Sequence, residues 1–126
     1  MIAGLGTDVV ELSRVAAALE RRREAFLERV LAPAERALCA EMGKERQVEF
    51  VAGRFAAKEA MAKAAGCGIA RLGMRYVELR TGTSGLLVQF HHPRVPDVLR
   101  GRWWVSITHT AQLAFATAVR ELDEGV

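Results

Sequence analysis

Gln47-Val48-Glu49-Phe50-Val51-Ala52-Gly53-Arg54-Phe55-Ala56-Ala57-Lys58-Glu59-Ala60-Met61-Ala62-Lys63-Ala64-Ala65 is the stretch around which the rest of the chain is read. It contains no proline and one glycine, and it runs into Gly66, so it predicts a helix over residues 47 to 65. Its apolar stripe is Val48, Val51, Phe55 and Ala62. At about 100° per residue, Lys58 falls at the centre of that stripe and Glu59 on its flank. Two charges therefore stand where a core helix is expected to be apolar. Arg54, Lys58, Glu59 and Lys63 also line up beside the small residues Ala56, Ala57, Ala60 and Ala64. Alternating cations around one carboxylate suit a phosphorylated ligand bridged by a hard divalent cation. The simpler alternative is an i, i+4 ion pair between Glu59 and Lys63, worth about a few tenths of a kcal/mol.

On the N-terminal side, residues 2 to 10 read as a strand, apolar at Ile2, Leu5, Val9 and Val10 and broken by Gly4 and Gly6. Ser13 is placed to cap a helix over residues 14 to 31, with Val15, Leu19, Phe26 and Val30 on one side. Arg14 and Arg21 lie off that stripe, seven residues apart and so on one face. A short helix is expected to start at Pro33 and to stop at Gly43. On the C-terminal side the period changes from helical to alternating after Gly66-Cys67-Gly68. Met74 to Thr81 and Leu86 to Phe90 predict a hairpin turning at Gly82-Thr83-Ser84-Gly85. His91-His92 reads as a solvated turn, opening a loop to Gly101 with room for a short helix. Trp103 to Thr110 and Gln112 to Leu122 predict a second antiparallel hairpin. The fold class is α+β, with an antiparallel sheet packed against a long central helix.

The chain has 126 residues, which fits one domain, 1–126. A domain this small has a thin core, yet 51% of the residues are hydrophobic and mean hydropathy is +0.09. That surplus points to a subunit interface. Residues 103–119 carry no charge, but Ser106, Thr108, His109, Thr110, Gln112 and Thr117 make them too polar and too short for a membrane span of about 20 apolar residues. The start of the chain meets Asp8 without a basic segment, so no signal peptide is expected, and the protein is expected to be cytoplasmic with no membrane partner. Cys39 and Cys67 lack the spacing of a zinc site. Net charge is +3, and arginine supplies fifteen of the eighteen cations, favouring bidentate grips on phosphate or carboxylate. The excess is too small, and nucleic-acid motifs too absent, to expect a nucleic-acid partner.

Asp8 interrupts an apolar strand after Gly6-Thr7, and a carboxylate there must be hydrogen-bonded, paired or metal-bound. An Asx-turn leading into the following helix is the plain alternative. His109 sits in Ser106-Ile107-Thr108-His109-Thr110, where hydroxyls and an imidazole converge at a strand end; a half-exposed strand histidine is the alternative there. Neither a P-loop, a nucleophile elbow nor a His-Glu-x-x-His motif occurs.

Gly4-Leu5-Gly6-Thr7-Asp8-Val9-Val10-Glu11-Leu12 with Arg14-Val15, then Gly53-Arg54-Phe55-Ala56-Ala57-Lys58-Glu59-Ala60 with Lys63-Ala64, then Val105-Ser106-Ile107-Thr108-His109-Thr110 stand in this order along the chain. Together they resemble the three motifs of the holo-acyl-carrier-protein synthases, the small 4′-phosphopantetheinyl transferases, nearly end to end. Thr108, Cys67 and Leu86-Leu87 depart from residues common in that family, and none of them touches Asp8, Glu59 or Lys63.

The resemblance implies transfer of 4′-phosphopantetheine from coenzyme A to a serine of apo acyl carrier protein, in support of fatty acid biosynthesis. It implies Mg2+ held by Asp8 and Glu59, with Asp8, Glu59 and Lys63 as the catalytic set. Lys63 would bind a pyrophosphate oxygen or assist deprotonation of the serine, with a metal-bound water or Glu59 as the other candidate bases. Arg54, Lys58, Lys63, His109 and Thr110 are the implied coenzyme A ligands, with Lys58 either a buried amine near the phosphates or a stem reaching to solvent. Arg14 and Arg21 are implied to face the acidic helix of the carrier protein, and a homotrimer with shared active sites is implied as the assembly. Two other readings compete: a non-catalytic module that grips an acidic helical partner, and a metal-dependent hydrolase of nucleotide pyrophosphates.

Overall fold

In the computed structural model, which describes residues 1–123, the central helix is longer at its start than its sequence pattern predicts. It begins at Lys44 and ends at Ala65 (α3), because Gly43 serves as its N-cap and does not end the preceding helix as expected. Its C-terminus is closed by a Schellman motif. Gly66 takes φ 68°, its N–H bonds the Lys63 carbonyl at 3.1 Å, and the Cys67 N–H bonds the Ala62 carbonyl at 3.0 Å. The buried residues of α3 are Phe50, Val51, Ala52, Gly53, Ala56, Ala57, Lys58, Ala60, Met61, Ala62 and Ala64. They surround most of the helix, so its buried surface is far broader than the expected stripe, of which Val51 and Ala62 are buried and Val48 and Phe55 half-buried.

A strand over Ile2–Glu11 (β1) runs across one side of α3 and is followed by a helix over Leu12–Val30 (α1). The expected Ser13 cap is not formed; Glu11 is the N-cap and makes no side-chain bond. Helix α1 is bent at Arg22, whose φ −144° and ψ 60° are not helical. The bend lets Phe26 turn to the Phe55 ring of α3, with centroids 6.1 Å apart. A short helix over Pro33–Ala40 (α2) follows, starting on proline as expected.

After Gly66, a single turn over Ile69–Leu72 (α4) that the sequence pattern did not suggest leads to Gly73 at φ 65°. Met74–Tyr76, expected to open a strand, form a 3-10 turn instead, because the Tyr76 N–H bonds back to the Gly73 carbonyl at 2.9 Å. The strand starts at Val77 and runs to Gly82 (β2), pairing with Gly85–Phe90 (β3) in the expected hairpin. His91 and His92 are not a free turn: His91 meets Glu78 at 2.8 Å, and His92 Nε2 lies 2.6 Å from the Leu72 carbonyl. A 3-10 turn over Asp97–Leu99 occupies the loop, and the last hairpin is Arg102–His109 (β4) with Leu113–Glu121 (β5).

Strands β1, β5 and β4 form one antiparallel sheet in that order, separate from the β2–β3 pair. The register aligns Asp8 with Ala116 and Ala116 with Ile107. The buried face carries Gly6, Val10, Ala114, Ala116, Ala118, Trp103 and Val105 and lies on α3. The other face carries Leu5, Val9, Trp104, Leu113 and Phe115, all exposed.

Small residues make the sheet-to-helix contact close. A Cβ at Gly4 would stand 1.7 Å from the Ala64 carbonyl oxygen, and one at Gly6 would stand 2.0 Å from that of Ala60. Both obstacles are backbone, which cannot swing aside. Gly6→Ala is therefore expected to cost about 3 kcal/mol or more, lowering Tm by roughly 10 °C. Gly43→Ala, where nothing lies within 4 Å, should cost less than about 1 kcal/mol. Thermal melts of the two variants check the contrast.

Candidate active site

The close approach of β1 to α3 sets Asp8 beside the last turns of the helix. Lys63 spans the gap: its ammonium donates to the Thr7 carbonyl at 2.9 Å and to Asp8 Oδ1 at 3.3 Å. Among the described residues Lys63 pairs with Asp8 and not with Glu59, so the simple i, i+4 ion pair is not made. Nor does Asp8 cap α1; it stays within the strand. Burial and the negative charge of Asp8 together push the Glu59 carboxyl up, against the smaller opposing pull of Lys63 and Arg29.

Two carboxylates that repel each other, one bonded to Lys63 and the other within the weaker pull of Lys63 and Arg29, form a site able to take a further cation. Hard oxygen donors in that number fit a magnesium ion that keeps several waters and takes its remaining ligands from substrate phosphates. Among the described residues no group of three or more His, Cys, Asp or Glu forms a fuller cage. The donor set thus fits magnesium better than zinc. Cys39 is buried, Cys67 is half-buried, and burial raises both thiols, as expected of idle cysteines.

The remaining candidates divide into places apart from this cluster. Arg54 and Lys63 are nine positions apart on α3, which puts them on opposite sides of the helix. The Arg54 guanidinium stacks 4.2 Å over the Phe50 ring, and its Nη2 donates to the Leu79 carbonyl at 3.3 Å. His109 and Thr110 are exposed at the end of β4, with β5 lying between β4 and the β1 strand of Asp8. Thr110 closes the β4–β5 turn, its hydroxyl accepting from the Gln112 and Leu113 N–H groups at 3.2 and 3.1 Å. Arg14 and Arg21 are exposed on one face of α1, as their spacing predicts, at a groove floored by Val10, Val15, Phe26 and Phe55.

Lys58 requires a correction. Its side chain is 0% exposed, and its ammonium spends its three donors on Glu35 Oε1 at 2.5 Å, the Val30 carbonyl at 2.8 Å and the Met74 carbonyl at 3.1 Å. It neither reaches solvent nor presents an N–H to a ligand, so it leaves the set of candidate coenzyme A contacts. Burial lowers its pKa to about 8 despite the adjacent carboxylate. Glu35 is the residue that sequence reasoning missed. The signal available was a glutamate at the third position of the helix opened by Pro33, where a carboxylate reaches back to the chain entering the helix; here Oε1 accepts the Ala32 N–H at 2.9 Å.

Comparisons with known proteins bear on this arrangement. The holo-[acyl-carrier-protein] synthase of Geobacillus kaustophilus is 51% identical over 96% of this chain and 90% of its own length. That of Enterococcus faecalis is 42% identical over 98% of this chain and all of its own length. Among solved structures, a holo-(acyl-carrier-protein) synthase of Bacillus anthracis in complex with CoA (3′,5′-ADP) superposes with a TM-score of 0.80 at 34% identity, covering 98% of this chain and 99% of that one. The Helicobacter pylori holo-[acyl-carrier-protein] synthase in complex with coenzyme A gives 0.78 at 28% identity, covering 93% and 99%. A family model described as the 4′-phosphopantetheinyl transferase superfamily matches residues 4–117, which include Asp8, Arg54, Glu59, Lys63 and His109. With that match running through every motif, and with full-length relatives on either side, the chain belongs to the 4′-phosphopantetheinyl transferase superfamily.

Proposed function

We propose that this chain transfers 4′-phosphopantetheine from coenzyme A to a serine of apo acyl carrier protein, releasing adenosine 3′,5′-bisphosphate and supplying holo carrier protein for fatty acid biosynthesis. The observation that carries the reading is the meeting of Asp8, Glu59 and Lys63 at the β1–α3 contact, in a chain whose full-length relatives bear that activity in their names. A cytoplasmic location goes with this reading; no helix among the described residues is long and apolar enough to cross a membrane.

In this reaction the serine oxygen bonds to the β-phosphorus of coenzyme A, the bond from that phosphorus to the bridging oxygen breaks, and the nucleotide leaves with the electron pair. Asp8 and Glu59 would hold the Mg2+, which when bound offsets the charge that builds up on the pyrophosphate oxygens. Lys63 is anchored by Asp8 and the Thr7 carbonyl and has a third N–H for a pyrophosphate oxygen. Lys63, Glu59 or a metal-bound water would take the serine proton. Arg54, His109 and Thr110 would hold the 3′-phosphate end. Arg14 and Arg21 would receive the acidic helix of the carrier protein, with the apolar floor of their groove taking its hydrophobic side chains.

One copy does not bring these two ends together. Arg54 points away from Lys63, and His109 is separated from Asp8 by the width of the sheet. The exposed apolar face of the sheet, Leu5, Val9, Trp104, Leu113 and Phe115, supports a homotrimer in which neighbouring copies complete each other's sites.

Intact-mass measurement of apo acyl carrier protein incubated with coenzyme A, Mg2+ and this protein should register the gain of one phosphopantetheine group, and Glu59→Gln should slow that gain at least about 100-fold. No gain with folded components would overturn the transferase reading, and unslowed gain in the variant would overturn the role of Glu59. Hydrolysis of coenzyme A without an acceptor would favour the hydrolase.

The Glu59 carboxyl also has a stability signature. A carboxyl raised by folding binds more protons in the folded than in the unfolded chain, so stability falls as pH rises through its folded pKa. At pH 7 and without metal, Glu59→Gln is therefore expected to melt above the parent protein, with the gap closing as pH falls into the ordinary glutamate range. Added Mg2+ should raise the Tm of the parent and not that of the variant. Finally, Phe115→Glu should convert a trimer to smaller species in light scattering and lower activity with it; a parent protein that runs as a monomer would contradict the shared site.

A further inference from the structure

Arg54 and Lys58 share one buried carboxylate, Glu35. Glu35 is 2% exposed, and both of its oxygens are occupied: Oε1 accepts from the Lys58 ammonium at 2.5 Å and from the Ala32 N–H at 2.9 Å, and Oε2 accepts from the Leu79 N–H at 2.9 Å. Arg54 stands beside this pair with Nε 3.9 Å from Glu35 Oε2, too far for a hydrogen bond, and that Nε is buried with no partner among the described residues. Glu78, the other carboxylate acting on the cluster, is engaged by Arg80 at 3.2 Å and His91 at 2.8 Å.

One carboxylate cannot neutralise two cations, so the geometry decides which cation is left with charge to spare. Lys58 takes the short contact and fills its donor set inside the core. Arg54 is held by its stack on Phe50 and one carbonyl, and it keeps only the longer, 3.9 Å ion pair to Glu35. Oε2 still has a lone pair for a charge-assisted bond to Arg54 Nε, about 1 Å closer than the two now stand, and what weakens that pull is the Lys58 ammonium, which offsets the carboxylate charge from Oε1. We propose that Lys58 is a positioning residue: by neutralising Glu35 it keeps Arg54 from being drawn onto that carboxylate and leaves the guanidinium available to a phosphate of the bound nucleotide. The inference rests on the reading of Arg54 as a ligand of the 3′-phosphate of coenzyme A.

The test compares kcat/KM for coenzyme A with that for 3′-dephospho-coenzyme A, a pair that differs only in the phosphate concerned. Lys58→Met is expected to lower the ratio of the two about tenfold, through KM for coenzyme A, while turnover of the dephospho substrate is retained. Glu35→Gln breaks the same ion pair yet removes the competing carboxylate, so its ratio should stay at the parent value or rise. General damage to the core would lower both substrates alike in both variants, and that result would overturn the proposal. Where Lys58→Met does not melt cooperatively, Lys58→Gln, which drops the charge and keeps two donors, takes its place with the same expectation. Arg54→Ala separates the two layers of the argument. If Arg54→Ala leaves the ratio unchanged, the reading of Arg54 fails and the role of Lys58 falls with it; if it lowers the ratio and neither Lys58 variant does, the role of Lys58 alone is overturned.

Discussion

The structure depends on backbone lying against backbone where β1 crosses α3. The carbonyl oxygens of Ala60 and Ala64 occupy the space where side chains of residues 6 and 4 would otherwise stand, so only glycine fits at both places. Tight packing there is thus the condition for the cluster of Asp8, Glu59 and Lys63, and the alanine-rich side of α3 is its other half. The same smallness accounts for part of the high apolar fraction of the chain, since alanine is the commonest of its apolar residues.

Buried charge is handled in a different way on the far side of α3. Lys58 and Glu35 form a pair whose hydrogen bonds are all made, tying α2, α3, the end of α1 and the start of β2 to one point. Such a pair adds little net stability over apolar residues of the same size, but losing one partner costs about 3–5 kcal/mol because the other charge stays buried. Its value is geometric. It settles where four elements meet, and it leaves Arg54 as the cation without a full counterion. The two sides of the helix therefore differ in electrostatics: the carboxylates Asp8 and Glu59 meet beside Lys63, and two cations share Glu35 at Arg54.

Much of this was legible in the chain itself. The helix around Glu59, the two hairpins and the α+β class follow from periodicity and from the glycines that bound each segment, since local hydrogen bonding and side-chain direction decide those features within a few residues. The prominence of Asp8 and Glu59 was legible for a similar reason: a charge inside an apolar pattern needs a compensating partner wherever the chain goes. Boundaries were less secure. Gly43 read as a stop and is a start, because capping depends on which side the next helix grows from. Met74–Tyr76 read as strand and form a 3-10 turn, because the left-handed conformation of Gly73 sets the following residues before any sheet partner does.

The sequence by itself determined which segments are helix and strand, and which carboxylates and cations stand out against their apolar surroundings, because both are properties of residues near one another in the chain. Only the tertiary structure decided what each charge meets. Lys58 and Glu59 are neighbours in sequence, yet one points into the core toward Glu35 and the other toward Asp8, since about 100° of helical rotation separates them. Glu35 became visible only when α2 folded onto β2 and carried it to Lys58, a pairing across 23 residues that no local pattern encodes. Long-range contact of that kind depends on how the elements pack, and packing is set by the sum of side-chain volumes across the whole fold.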